Sequence, residues 1–109
     1  VSKMRKVIIS DSASKRLEKL MDYLENEWSQ RTLNKFIKTL DKSILLIKKY
    51  PESNELSNIK EGLYRCVITK HISLFYTFNS TEIYVITFFD TRMHPYKLKK
   101  EIKKHDRNN

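Results

Sequence analysis

The chain has 109 residues and a mass of 13.1 kDa, enough for one modest core without metal or disulfide staples. Lys and Arg number 22 against 13 Asp and Glu, and this formal charge of +9 draws the protein toward phosphate-rich or acidic protein surfaces by attraction that salt screens. One cysteine excludes an internal disulfide, no apolar run approaches the ~18 residues of a membrane span, and no charged-then-apolar leader opens the sequence, so a reducing, cytoplasmic setting is expected.

Val7-Ile8-Ile9, between charged residues, predicts a short buried strand. Asp11 and Ser12 offer side-chain oxygens to cap the helix that follows over Ala13–Trp28. There Ala13, Leu17, Leu20, Met21, Leu24 and Trp28 recur at three- and four-residue steps and form one apolar stripe. Ser29 is placed to cap a second helix over Leu33–Ile47, where Leu33, Phe36, Ile37, Leu40, Ile44 and Ile47 repeat the spacing. Lys48 and Lys49 suit its negative C-terminal end, and Pro51 forbids its continuation. Two stripes with so short a connection make an antiparallel helical hairpin that must cover a sheet.

Pro51–Lys60 is polar and predicts an irregular link anchored by Leu56 and Ile59. Leu63–Thr69, Ile72–Phe78 and Glu82–Phe89 are rich in β-branched and aromatic residues and predict three strands. Lys70-His71 and Asn79-Ser80 sit between them as two-residue hairpin loops, Asn tolerating the positive φ such turns use. The fold class is α+β: an N-terminal strand, the helical hairpin, a three-stranded antiparallel meander and a short basic C-terminal helix, in one domain spanning residues 1–109. The sheet is expected to hold about four antiparallel strands, with the hairpin on one face and the other face concave and partly open. Between Lys97 and Arg107 five lysines and one arginine stand against Glu101 and Asp106, a net +4 in eleven residues. Leu98 and Ile102 give this segment so little apolar area that weak docking is expected.

No motif of an independent enzyme is present. The single glycine, Gly62, rules out a phosphate-cradling glycine loop, and neither zinc-type spacing nor a Gly-x-Ser-x-Gly elbow occurs, so no metal or cofactor is expected. His71 at a turn reads as an exposed or locally bonded side chain, and His105 belongs to the tail. Arg65 interrupts an apolar strand and Arg92 closes the last one. Two guanidinium groups near one sheet edge could grip a phosphodiester or a partner carboxylate, or else form ordinary salt bridges with Asp90 and Glu61. Of the tyrosines Tyr64, Tyr76, Tyr84 and Tyr96, only Tyr96, beside His94 and Lys97, lies beyond the sheet.

This order of elements, with the words GLYR, LFYTF and FFDTR, resembles the RelE/ParE family of bacterial toxins from type II toxin–antitoxin pairs over nearly the whole chain. The resemblance implies a cognate antitoxin as partner in a hetero-oligomer, with DNA gyrase (ParE-like branch) or the ribosome and its mRNA (RelE-like branch) as target. In the nuclease branch the word matching Ser73-Leu74-Phe75-Tyr76 begins with Arg; a Ser there cannot replace a fixed charge beside a developing phosphorane, which argues against RNA cleavage. Of the lysine cluster that precedes the meander in that branch, only Lys60 is present. The expected function is therefore a ParE-like, plasmid-stabilising toxin that inhibits growth. The alternatives are a ribosome-dependent mRNA endonuclease and a non-toxic antitoxin-binding module. A nuclease would draw on Arg65, Arg92, His94 and Tyr96, and the resemblance places target or antitoxin contacts at Arg92, His94, Tyr96, Lys97, Lys99 and Lys100.

Overall fold

The computed structural model describes residues 4–92, 98–100 and 102–103. Strand β1 (Lys6–Ile9) leads directly into helix α1 (Asp11–Tyr23), which gives way to a single π-helical stretch, Leu24–Trp28. Helix α2 (Gln30–Lys49) runs back, and a short 3-10 turn (Pro51–Ser53) precedes β2 (Glu55–Leu56), β3 (Tyr64–Val67), β4 (Ile72–Phe78) and β5 (Glu82–Asp90). Helical backbone returns at residues 98–100 and 102–103. Among the described residues no helix is long and apolar enough to cross a membrane.

The sheet has five strands in the order β1-β5-β4-β3-β2. It is mixed: β1 pairs in parallel with β5, Val7 opposite Ile83, and the remaining pairs are antiparallel. The strand beyond the expected four is β2, a two-residue edge strand inside the link. Its Leu56, expected as an anchor, is exposed because an edge strand this short has nothing packed against it, whereas Ile59 does pack on the core.

Ser10 caps α1 in place of Asp11 or Ser12. The helix starts two residues earlier than its apolar stripe suggests, so Ser10 Oγ accepts from Ala13 N at 3.0 Å and donates to the Ile86 carbonyl at 2.8 Å. One hydroxyl thereby ties strand, helix and neighbouring strand together. Ser29 caps α2 as its position foretells, accepting from Thr32 N at 3.0 Å. The β4–β5 turn does not use positive φ at Asn79; among the described residues Gly62 alone has it, at 75°. Instead the Asn79 side-chain oxygen accepts from Thr81 N and Glu82 N at 2.9 and 2.8 Å, an Asx turn that reverses the chain without left-handed backbone. The β3–β4 connection takes four residues, with Thr69 Oγ1 accepting from His71 N and Ile72 N.

Trp28 leaves the stripe it was expected to join and is 68 % exposed. It stands at the end of the π stretch, where Ser29 N bonds the Leu24 carbonyl in a wider turn than the α-helix makes, beyond the part of the helix that the sheet covers. The rest of the hairpin seats as its periodicity predicts. Leu20, Leu24, Leu33, Phe36, Leu40 and Ile47 close over Ile72, Leu74, Tyr76, Ile83, Val85 and Phe88. A bulge between Phe75 and Tyr76 changes the alternation along β5, so Ile86 joins Phe75 on the opposite face.

That opposite face is covered. Leu98 and Ile102 are 5 % and 3 % exposed, packed with Leu63, Phe75 and Ile86 in a second core. The weak docking expected from two apolar residues overlooked the matching patch that the strands present to them.

Leu40, 5 % exposed at the centre of the hairpin face, is the sharpest test of this packing. Leu40→Ala should cost about 2–5 kcal/mol in urea unfolding; a loss below about 0.5 kcal/mol would mean the helix faces elsewhere. Tyr76 tests the junction between sheet and link. Its fully buried hydroxyl donates to the Pro51 carbonyl at 2.6 Å and accepts from Asn54 at 3.0 Å. Burial pushes this phenol from 10.0 up to about 12, with the Asn54 bond opposing. A raised pKa means stability is fully present below the unfolded value and is lost as pH rises through the folded one. Unfolding free energy should fall between pH 10 and about 12, and Tyr76→Phe, about 1–3 kcal/mol less stable at neutral pH, should flatten that limb.

Candidate functional site

The end of β5 is where strand, α1 and the β3–β4 connection meet. Asp90 is 4 % exposed, opposite Ile72 on the hairpin side of the sheet. A buried carboxylate requires donors, and Arg92 supplies three: its backbone N–H at 2.9 Å, its Nε at 2.8 Å and an ion pair from Nη2 to Oδ2. The backbone bond is an Asx turn, which the Asp-Thr-Arg sequence favours. The guanidinium also lies over the Tyr23 ring, its carbon 3.6 Å from the centroid. Next to it His71 Nδ1 and Thr91 Oγ1 are 3.1 Å apart, and Thr91 N donates to the His71 carbonyl at 2.9 Å. Arg92 therefore takes the salt-bridge alternative with Asp90, and its first task is to hold the chain where it leaves the sheet.

Arg65 lies on the other face. Its Nε donates at 3.0 Å to the hydroxyl of Ser73, a residue only 4 % exposed that sits between Val67 and Phe89 in register. Ser73 shares its face with Phe75 of the second core, whereas Asp90 and Ile72 belong to the hairpin side. The two arginines are thus separated by the sheet and do not form one clamp. Tyr64 and Tyr76 are core residues on the hairpin side, ring centroids 5.6 Å apart, and Tyr84 Oη donates to Glu82 at 2.6 Å, which raises its pKa. Tyr76, fully buried, offers no ring face to a base, and Tyr64 packs its ring against Tyr76 and Phe78. Burial pushes the Cys66 thiol up, so it stays protonated near neutrality and is no nucleophile. No group of three metal-ligating side chains occurs among the described residues.

Two hollows accompany these residues. One, of about 570 Å³, opens between the π stretch, α2 and the end of β5, and its lining includes Trp28, Lys35, Phe36, Ile72, His71 and Arg92. The other, of about 480 Å³, brings Lys60 of the link beside Lys99 and Lys103 of the C-terminal segment, over Ile59 and Ile102. The sequence signalled neither meeting. Lys99 and Lys103 lie one helical turn apart, which predicts that they share a face, but their approach to Lys60 is tertiary. Lys99 and Lys100 are exposed, whereas His94, Tyr96 and Lys97 lie outside the described residues.

The different tasks of the arginines give an expected contrast in urea unfolding. Arg92→Ala strips a buried carboxylate of its side-chain partner and should cost about 1–3 kcal/mol. Arg65→Ala removes an exposed side chain from one hydroxyl and should cost no more than about 1 kcal/mol. Equal losses would contradict this division.

With the geometry in place, comparison with known proteins assigns the family. No curated protein matches the chain in sequence. Among solved structures, a free-state mutant of the Escherichia coli toxin RelE superposes with a TM-score of 0.60 at 14% identity, covering 94% of this chain and 98% of that one. A copper-bound mutant toxin from Helicobacter pylori gives 0.60 at 19% identity, and a conserved hypothetical protein from the same organism gives 0.52 at 23%; each comparison covers 80% of this chain and 94% of the other. At these identities the likeness concerns the fold. The family model for the ParE toxin of the type II toxin–antitoxin system, parDE, matches residues 7–95, from the first strand through the whole sheet, and the chain belongs to that toxin family.

Proposed function

We propose that this chain, acting as one domain over residues 1–109, is the toxin of a plasmid-stabilising module that works in the cytoplasm. It arrests growth by ParE-like inhibition of DNA gyrase and is silenced in a hetero-oligomer with its cognate antitoxin. Membership of the toxin family implies the antitoxin; the choice of target rests on Ser73. At the position where the nuclease branch carries an Arg, this chain has a buried hydroxyl already engaged by Arg65. A hydroxyl so placed supplies no positive charge to a phosphorane. Arg92, the other basic candidate, is occupied by Asp90 on the opposite side of the sheet. Its remaining exposed surface, with His94, Tyr96, Lys97, Lys99 and Lys100, is the proposed contact region for target or antitoxin.

One observation favours the endonuclease alternative. Lys60, Lys99 and Lys103 line a single hollow, so the lysine cluster that is sparse in the link gains members from the C-terminal segment. Three ammonium groups there would attract an RNA backbone, though attraction alone does not cleave it.

The experiment pairs a gyrase supercoiling assay with translation on programmed ribosomes. The purified protein should block supercoiling and leave ribosome-bound mRNA intact. Codon-positioned cuts that vanish in Arg65→Ala or Lys60→Ala would establish the endonuclease instead. Antitoxin binding with neither effect would leave only the non-toxic binding module.

A further inference from the structure

The hollow beneath the π stretch has a composition that toxin membership does not account for. Its inner wall is Leu24, Phe36, Ile68 and Ile72, supplied by the π stretch, α2, the β3–β4 connection and the start of β4. All four are buried in the main core, so this wall is fixed by packing and does not depend on a partner to form it. At about 570 Å³ the space lies within the ~300–1,000 Å³ range of small-molecule sites and exceeds what one side chain fills. Three basic residues line it, Lys35, His71 and Arg92, and no Asp or Glu does among the described residues.

These three are not equivalent. Arg92 is neutralised by Asp90, and His71 is tied through Nδ1 to Thr91. Lys35 has no ion pair among the described residues. Its helical neighbours three and four positions away are Arg31, Thr32, Lys38 and Thr39, so nothing acidic on its own helix reaches it. A preformed apolar cup with an unmatched cation at its mouth is complementary to one kind of molecule.

We propose that this cavity binds a small anionic amphiphile, a compound with an apolar body and a single carboxylate. The body rests on Leu24, Phe36, Ile68 and Ile72, and the carboxylate meets the Lys35 ammonium at the mouth. The proposed contacts use Leu24, Phe36, Ile68, Ile72 and Lys35, none of them assigned to the target, although Arg92 lines the same cavity.

The protein carries its own reporter. Trp28, the single tryptophan, forms part of the lining and is 68 % exposed in the free protein. Decanoate and 1-decanol, kept below their aggregation thresholds, should be titrated against its emission. Decanoate should give a saturable one-to-one change and bind at least about tenfold tighter than decanol, the worth of one charge-assisted contact. Lys35→Glu should weaken decanoate by about tenfold or more, while Lys42→Glu, the same charge change on the same helix away from the cavity, should weaken it less than about twofold. Thr39→Phe, which narrows the mouth, should abolish both titrations while thermal melts report an intact fold. An unsaturable response, equal affinity for the acid and the alcohol, or equal losses in Lys35→Glu and Lys42→Glu would overturn the proposal.

Discussion

Strand β4 is buried along both faces, and that condition organises the molecule. From Ile72 to Tyr76 no residue is left to water, so each side of the sheet needs a cover. A small sheet with one bare apolar face would expose side chains worth about 1.5–3 kcal/mol each in burial. The amphipathic hairpin closes one side with its two stripes. On the other side Leu98 and Ile102 suffice because Leu63, Phe75 and Ile86 gather into a compact patch, itself a result of the bulge that brings Ile86 across. The C-terminal segment is thereby part of the core as well as the bearer of much of the positive charge.

The same layering separates the cationic groups into two chemistries. On the hairpin side Arg92 is committed to Asp90 and stacked on Tyr23, a structural fixture at the exit of β5. On the opposite side Arg65, with Ser73, shares the sheet's second face with the core that Leu98 and Ile102 complete beside the lysine hollow. A guanidinium whose Nε and Nη2 already bind a buried carboxylate, and whose face rests on Tyr23, has fewer donors to offer a substrate, whereas one leaning on a single hydroxyl can turn outward. The two guanidinium groups therefore differ in how freely each can reorient, although both are basic residues near the ends of strands.

Much of this was legible in the residues. Helical periodicity placed Leu33, Phe36, Leu40 and Ile47 correctly, the limits of β4 follow the β-branched and aromatic run, and Ser29 and Pro51 frame α2 as their chemistry requires. What escaped was tertiary or depended on small departures from ideal winding. The pairing of β1 with β5 joins the two ends of the fold and leaves no local trace. Asn79 suggested a left-handed turn, and its side chain achieved the reversal by another route. The partition of Arg65 and Arg92 followed from which face each strand position occupies, and the bulge in β5 obscures that count.

The π stretch shows how little sequence separates one surface from another. Five residues, Leu24 to Trp28, complete a turn that closes onto Ser29 with one more residue in the loop than α winding holds. A chain shorter by one residue between Tyr23 and Ser29 could continue as ordinary α-helix. Trp28, which lines the hollow, would then be turned relative to Leu24 and α2, and the lining would change with it. The lining at this end of the hairpin thus depends on helical phase, which a single insertion or deletion changes without altering a residue of any strand.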